Sequence, residues 1–587
     1  MTELFEVTDR YDRRLALGAT GVLRDFNDAG VLTAADVHVA RRLGELAGEG
    51  DERVLLATAL ATRAVRHGSV CLDLGAVADL APELPWPAYD AWAEAVAASP
   101  LVRQGVLCWE FDLLYLDRYR HQEVAVCGDL LRRLAQEPPG VDLAVLETGL
   151  QRVFGEATYA EQRTASHRAA TQWTTVLTGG PGTGKTTTVA GLLALLAEQA
   201  ARAGDGMRVA LAAPTAKAAA RLQEAVAEAT RRLAPEDQRR LGTLQASTLH
   251  RLLGWRRDND TRFRHHRANR LPHDVIVVDE TSMVSLTMMA RLVEAVRPDA
   301  RLVLVGDPDQ LASVDAGAVL SDLVSGFADA GGSPVVRLAT THRFGAEIGR
   351  LAGALRDGSA ADVLTALRAG SRQVEFVESE DPALLRSTIV DAALAIRSAA
   401  EAGLAEEAVA ALDRHRLLCA HREGPYGVRH WNRQVEHWLA EETGDPLYEE
   451  MYVGRPLMVT ANDYGLGVFN GDAGVVVRDS DGRRAMIAGA NGPTAFATSR
   501  LSDVETMFAT TIHKSQGSQA DEVTVLLPPE ESRLLTRELF YTAVTRAKQK
   551  VRVVGSEAAV RAAVERRALR ASGLRQRLRA EAAGADA

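Results

Sequence analysis

The stretch Gly179-Gly180-Pro181-Gly182-Thr183-Gly184-Lys185-Thr186 carries the densest chemical content in the sequence. Glycines at this spacing let the backbone curl so that successive N–H groups converge on one anion, at the positive end of a following helix. Lys185 is placed to neutralise the β- and γ-phosphates of a nucleoside triphosphate, and the Thr186 hydroxyl to ligate Mg²⁺. A second phosphate-site element is Asp279-Glu280, at the end of the apolar run Val275-Ile276-Val277-Val278. Asp279 at that position can hold Mg²⁺ through water, and Glu280 can polarise the attacking water. A third is Gly306-Asp307-Pro308-Asp309-Gln310, where Gln310 can sense a γ-phosphate. Arg343 and Arg546 are candidate arginine fingers, because a guanidinium reaching across a cleft stabilises transition-state charge and ties closure to ATP. Taken singly, a Gly-rich turn, an acidic pair or a helical arginine is ordinary; the ordered set predicts an ATP site.

These residues need a strand before the phosphate loop and a helix after it. Trp173 to Leu177 and Thr187 to Gln199 supply both. From about 145 to 345 strands and helices alternate as in a parallel α/β sheet. The strands are expected at Thr174–Thr178, Arg208–Ala212, Val275–Val278, Leu302–Val305 and Val335–Leu338. A second α/β pattern follows, with strands expected at Gln373–Val377, Arg416–Cys419, Glu522–Leu527 and Lys550–Val554. Short β-like runs between Gly, Asn and Asp turns, roughly 450 to 505, read as a small β-barrel inserted into it. Residues 1 to about 110 read as helical, with amphipathic stretches such as Ala34 to Leu46 and Glu52 to His67.

The bulk numbers set wider bounds. A chain of 587 residues is too long for one core, so roughly three or four domains are expected. Its 47% hydrophobic and 25% charged residues are those of an ordinary globular protein. No apolar run is long enough to cross a bilayer, and no apolar signal core follows Met1. Cys71, Cys108, Cys127 and Cys419 are scattered without metal-binding spacing, which fits a reducing cytoplasm. A net charge of −10 does not announce a nucleic-acid binder, but a local basic groove suffices. The sequence offers two candidates: Arg251 to Arg270, with seven arginines and interleaved Trp255 and Phe263, and the arginine-rich stretch Arg561 to Arg579. For each the competing reading is a solvated basic face.

Further motifs complete the series in chain order: Gln162, Ala213-Pro214-Thr215-Ala216-Lys217, Ser247-Thr248-Leu249-His250, Thr511-Ile512-His513-Lys514-Ser515-Gln516-Gly517-Ser518 and Thr545-Arg546-Ala547. With the phosphate loop, Asp279-Glu280, Gln310 and Arg343, the chain from about 145 to 555 resembles superfamily 1 helicases, and within them the RecD group that translocates 5′ to 3′. Arg422-Glu423-Gly424-Pro425-Tyr426-Gly427, Asn462-Asp463-Tyr464 and Asn470-Gly471-Asp472 extend the likeness. Arg66-His67-Gly68-Ser69-Val70-Cys71-Leu72 resembles the start of the RecD subunit of RecBCD, whereas stand-alone RecD-like helicases carry helix-hairpin-helix repeats there.

The resemblance implies an α/β protein with two RecA-like P-loop NTPase domains. The boundaries expected are a helical partner-binding domain at 1–110, a connector at 111–145, and a first motor domain at 146–345. The second motor domain is expected at 346–449 and 506–570, interrupted by an SH3-like β-barrel at 450–505 and followed by a basic tail at 571–587. ATP would be held by Gly179, Gly180, Pro181, Gly182, Thr183, Gly184, Lys185, Thr186 and Thr187, with Gln162 reading the adenine edge. Thr186 and Asp279 would hold Mg²⁺, Glu280 would orient water, and Gln310, Arg343 and Arg546 would couple the γ-phosphate to closure. Thr215, Thr248, His250, Thr511 and His513 would line the single-strand track, since hydroxyls and imidazoles bond phosphate without the hold of a full charge. Partners implied are single-stranded and duplex-end DNA and RecB-like and RecC-like subunits in a heterotrimer, with no membrane.

Two departures stand out. Gln519 replaces the usual Glu thought to meet the ribose, and His342 stands where relatives often place Tyr. No nuclease constellation is found outside the ATPase set. The alternatives are a self-sufficient helicase and a structural subunit with a vestigial ATPase.

Overall fold

The structure is a computed structural model that describes residues 12–585, apart from 257–258, 329–331, 342–344, 380–381, 464, 481, 490–491 and 569. His342, Arg343, Tyr464 and Arg257 therefore lie outside the described residues.

Two all-parallel sheets dominate. The first has six strands in the order Val335–Leu338, Thr174–Gly179, Arg301–Gly306, Val275–Val278, Val209–Ala213, Ala246–Thr248. Residues alternate between its two faces, so Val176, Ile276, Val278, Leu302 and Leu304 enter one core while Leu177, Val275, Val277, Val303 and Val305 enter another. A parallel sheet covered by helices on both faces demands such continuous apolar strands. The second sheet runs Val374–Val377, Ala547–Val554, Ala520–Leu526, His415–Cys419, Ala509–Thr511. It too is covered twice, with Leu418, Val523 and Val553 on one side and Leu417, Cys419 and Leu526 on the other.

Each expected strand of these sheets is present within two residues at either end, except that Ala547–Val554 begins three residues early. Two further strands, Ala246–Thr248 and Ala509–Thr511, sit at sheet edges. Three residues each, with polar ends, they give no apolar run to read.

The stretch from 450 to 505 forms most of a five-stranded antiparallel sheet in the order Thr494–Ala497, Gly482–Ile487, Ala473–Asp479, Pro456–Val459, Val504–Thr506. One face packs Met458, Val475 and Val477 against Ile396 of helix Arg386–Glu401 and Ala408 of helix Ala405–Ala411. The other gathers Leu457, Val459, Val476 and Ile487 into a core of its own.

The N-terminal region is mainly helical (Gly21–Asp28, Ala34–Ala47, Glu52–Arg66), and it also contains a three-stranded antiparallel sheet, Cys71–Asp73, Leu113–Leu116, Leu107–Glu110. Capping fixes its helix starts: the Asp51 carboxylate accepts from the N–H of Arg53, and Thr33 and Asp36 form a reciprocal box.

The basic stretch at the C-terminal end is no loose tail. Helix Leu574–Ala585 buries Leu574 and Leu578 beside Leu320 and Leu323 of helix Val319–Gly326 and Phe327 just after it. The segment before it crosses between units: the N–H of Val70 donates to Ala571 O at 2.8 Å. Several arginines of this stretch make internal contacts, while Arg561, Arg567, Arg575 and Arg579 remain exposed. Arg570 donates to the carbonyls of Ser313, Asp315 and Gly317, Arg577 pairs with Glu110 at 2.8 Å, and Arg579 donates to Ser325 O at 3.1 Å. Arg561 is an i,i+4 partner of Glu557 at 2.6 Å.

In the other basic stretch, Trp255–Arg256 and Asn259–Phe263 form an antiparallel hairpin. Arg267 is drawn to Asp129 at 2.8 Å, while Arg251, Arg262 and Arg264 stay exposed.

Candidate nucleotide site and strand track

Strand Thr174–Gly179 ends in the glycine loop, and helix Lys185–Arg202 begins at its last residues. Gly182 and Gly184 hold φ of 81° and 85°, the left-handed region that a side chain disfavours. Gly179 meets a different constraint: a Cβ there would lie 2.5 Å from Thr183 Oγ1 and 2.9 Å from Leu338 O. The loop is braced by its own polar groups. Thr183 Oγ1 donates to Gly180 O at 2.9 Å, and Lys185 Nζ to Gly179 O and Gly180 O at 2.6 and 3.0 Å. Gln162 is fully buried and donates through Nε2 to Thr183 O at 3.0 Å, so it holds the loop from behind. Thr186 and Thr187, in the first turn of the helix, are partly exposed.

Asp279 and Glu280 follow the neighbouring strand Val275–Val278. The Asp279 N–H joins Ala212 O at 2.9 Å, and Asp279 Oδ1 accepts from the Glu280 N–H at 2.8 Å. Glu280 takes φ 51° and ψ 41°, an αL conformation uncommon outside glycine and a kind of strain that collects at functional sites. Burial raises the Asp279 carboxyl above the ordinary range, Glu280 adds to the rise, and Lys185 opposes it. A cation beside this pair relieves that cost. The donors are hard oxygens, a carboxylate and a hydroxyl, as Mg²⁺ requires, and one or two protein ligands suffice where phosphates supply the rest.

The second sheet closes on this site. Gln310 Nε2 donates to Asp307 Oδ2 at 3.0 Å, and its Oε1 accepts from Arg546 Nη2 at 3.1 Å. Arg546 is buried and also donates to Thr542 O at 3.0 Å and Ser518 O at 3.3 Å. Two neighbours tighten the contact: Tyr541 OH donates to Asp307 Oδ2 at 3.0 Å, and Thr542 Oγ1 accepts from the Leu311 N–H at 2.9 Å. Gln516 Nε2 donates to Leu311 O at 2.9 Å. Tyr541 also stands over the loop, its hydroxyl 3.1 Å from where a Cβ of Gly180 would be. The sequence motifs assign no role to Tyr541; adjacent hydroxyls, Tyr541 and Thr542, among the apolar residues of helix Arg537–Val544 were the available signal.

A cleft of about 350 Å³ lies against Gly179 and Gly180 and is lined by Asp307, Asp309, Arg337, Arg356 and Arg567. Burial, with Asp307, pushes Asp309 up to about 6 against the pull of those three arginines. They stand too far apart in sequence to form a motif. Gln519, just before strand Ala520–Leu526, is partly exposed.

The five residues expected along a strand track divide by role. Thr215, Thr248 and Thr511 sit at the carboxyl ends of parallel strands or just beyond, with Ala213 opposite Thr248 and Cys419 opposite Thr511. Ligands gather at that edge in open α/β sheets. Each threonine Oγ1 accepts from an N–H three residues on, at 3.2 Å in all three cases, which leaves its own O–H to donate outward. His250 is exposed, its ring 6.0 Å from that of Phe263. Burial and Arg570 push His513 down to about 4, so its imidazole is neutral at pH 7.

A phosphate loop on one parallel sheet, with Gln310 of that unit bonded to a buried arginine from a second parallel sheet, is the arrangement of a P-loop motor of the helicase class. Family comparisons agree: residues 162–316 match an AAA domain, 506–554 a UvrD-like helicase C-terminal domain, and 28–115 the N-terminal domain of RecBCD enzyme subunit RecD. The RecBCD enzyme subunit RecD of Mycolicibacterium smegmatis is 63% identical over 94% of this chain and 98% of its own. That of Mycobacterium tuberculosis is 60% identical over 98% and 99%. The chain belongs to the RecD family of RecBCD enzyme subunits. The ATP-dependent RecD2 DNA helicase of Deinococcus radiodurans is 32% identical over 77% of this chain and 57% of its own. Among solved structures, Bacteroides Pif1 bound to ssDNA is 18% identical, with a TM-score of 0.37 over 68% of this chain and 92% of that one, too distant to bear on residue roles.

Proposed function

We propose that the chain is an ATP-dependent DNA helicase that moves 5′ to 3′ on single-stranded DNA as one motor of a RecBCD-type assembly. The observation that carries this is the bond from buried Arg546 to Gln310 beside the phosphate loop, which joins the two sheets where ATP would lie. Lys185 would leave the Gly179 and Gly180 carbonyls for the β- and γ-phosphates, while the loop N–H groups hold them. Thr186 and Asp279 would hold Mg²⁺, which when bound neutralises developing phosphate charge. Glu280, fixed by its αL backbone, would orient the attacking water. Gln310, Arg546 and Arg343 would register the γ-phosphate, Gln162 the adenine and Gln519 the ribose. Thr215, Thr248, His250, Thr511 and His513 would contact the strand.

In this reading 146–345 is the first RecA-like motor domain, 346–449 with 506–570 the second, 450–505 an SH3-like module, and 111–145 the connector. Residues 1–110 dock RecB-like and RecC-like subunits in the cytoplasm, and nuclease activity belongs to a partner. No helix among the described residues is long and apolar enough to cross a membrane. A self-sufficient helicase is the second reading. The Deinococcus helicase is matched over only 57% of its length, against 98–99% for the mycobacterial subunits, which favours the subunit. ATP turnover with and without single-stranded DNA tests the proposal: strong stimulation is expected, and turnover indifferent to DNA would overturn it.

A further inference from the structure

The seam between the second parallel sheet and the antiparallel insert encloses a cleft of about 250 Å³. Arg422 reaches it from the loop after strand His415–Cys419, and Arg429 and Arg433 from helix Val428–Thr443. Lys514 comes from the turn after strand Ala509–Thr511, and Arg455 from the start of the insert. Five cations thus face two carboxylates, Glu436 and Glu505, in a chain whose net charge is −10. Thr511 opens into the same cleft. This is the local basic groove that the whole-chain charge conceals, and it lies in neither arginine-rich stretch of the sequence.

The two acids are used differently. Glu436 is structural: it accepts from Tyr452 OH at 3.1 Å and from Thr506 Oγ1 at 3.2 Å. Glu505, on the insert's edge strand Val504–Thr506, instead spans the seam. One of its oxygens pairs with Arg422 and the other accepts from Lys514 Nζ at 3.2 Å, both cations belonging to the motor side. All three side chains reach water, at 55% exposure for Arg422, 36% for Glu505 and 34% for Lys514. Arg433 is exposed, with no carboxylate in ion-pair range among the described residues.

We propose that this cleft binds the phosphate backbone of single-stranded DNA, and that Glu505 is its removable counter-ion, released from Arg422 and Lys514 when a phosphate takes its place. Solvent-reached ion pairs are weak enough to exchange. A phosphate oxygen offers the same two cations charge-assisted bonds and gains from the release of its own counterions. Because Glu505 competes with every arriving phosphate, it weakens the grip, which lets a motor step. Three cations on the motor side of the seam, Arg422, Arg433 and Lys514, suit successive phosphates of a strand better than one free anion. The inference rests on the DNA-motor reading above and adds to it how the strand is let go.

The test is anisotropy of a fluorescein-labelled oligodeoxythymidine bound to the full chain across a range of chloride concentrations. Glu505→Gln should tighten binding roughly three- to tenfold, as two exposed ion pairs are given up, and steepen the salt slope by about 0.7, one phosphate. Arg422→Gln with Lys514→Gln should weaken binding and flatten the slope by about 1.4. In that background Glu505→Gln should do nothing more. Glu505→Asp, which keeps the charge but is too short to span both cations, should fall between wild type and Gln and guards against a seam that fails to form. Unchanged or weaker binding by both Glu505 variants overturns the counter-ion. Loss of the Gln effect when inorganic phosphate replaces chloride at equal ionic strength would show a free-anion site and overturn the strand. No binding of the oligonucleotide by wild type at any salt would remove the motor reading itself, and this proposal with it.

Discussion

Replacing Arg546 by lysine separates charge from geometry at the joint between the sheets. The guanidinium donates to Gln310 Oε1 at 3.1 Å, Thr542 O at 3.0 Å, Ser518 O at 3.3 Å and Thr545 Oγ1 at 3.4 Å. A lysine ammonium keeps the charge but is a point donor on a flexible stem and cannot span these four acceptors. Losing one preorganised transition-state donor costs about 10²–10³ in kcat, or about 2.7–4 kcal/mol. The acceptors left unpaired cost about 1–3 kcal/mol of stability, so the variant should fold with a lower Tm. The assay is single-strand-stimulated ATP hydrolysis beside binding of a fluorescent ADP, which has no γ-phosphate. Arg546→Lys should lose kcat while ADP affinity stays within about threefold of wild type. Adding Gln310→Ala should cost little more, because residues that act as one unit are not additive. Wild-type kcat in Arg546→Lys, or additive losses in the double variant, would refute the coupling.

Gly179→Ala should abolish nucleotide binding, since its Cβ would meet Thr183 Oγ1 at 2.5 Å and Leu338 O at 2.9 Å; equilibrium dialysis with labelled ATP reads it directly. Leu578→Ala should destabilise the chain by about 2–5 kcal/mol in denaturant titration, because the side chain is fully buried against helix Val319–Gly326. Asp322 is held up to about 7 by burial and Glu123, against a hydrogen bond from Ser572 and the charge of Arg575. Its folded form binds more protons than the unfolded chain between about 4 and 7, so it subtracts stability as pH rises through that window. Asp322→Asn should therefore raise Tm most above pH 7 and progressively less toward pH 4; an equal gain at every pH would contradict the burial argument.

Much of the motor was legible because its strands are buried on both faces and read as unbroken apolar runs, as Val275–Val278 does. The phosphate loop and Asp279-Glu280 were legible because glycine conformation and metal chemistry leave few alternatives at those positions. What stayed hidden depends on distance in sequence. Tyr541 meets Asp307, and Arg337, Arg356 and Arg567 share one cleft, only after the sheets have docked. Strands Ala246–Thr248 and Ala509–Thr511 are edge strands too short to show a period, though they end on Thr248 and Thr511, two residues proposed to contact the strand. The arginine count pointed to 561–579 as a basic face, while Leu574 and Leu578, four apart on one helical face, carried the packing signal. Arg343 lies outside the described residues, so its part in the cleft stays a proposal.

The most direct test of a cleft that converts ATP into movement on DNA is directional unwinding by the assembly with its partner subunits, comparing wild type with Lys185→Ala. A duplex with a 5′ single-stranded overhang reports this motor alone. The account predicts unwinding by wild type and loss of at least about a hundredfold in Lys185→Ala, the scale set by removing a phosphate-stabilising charge. Retained 5′-to-3′ unwinding in Lys185→Ala would contradict it.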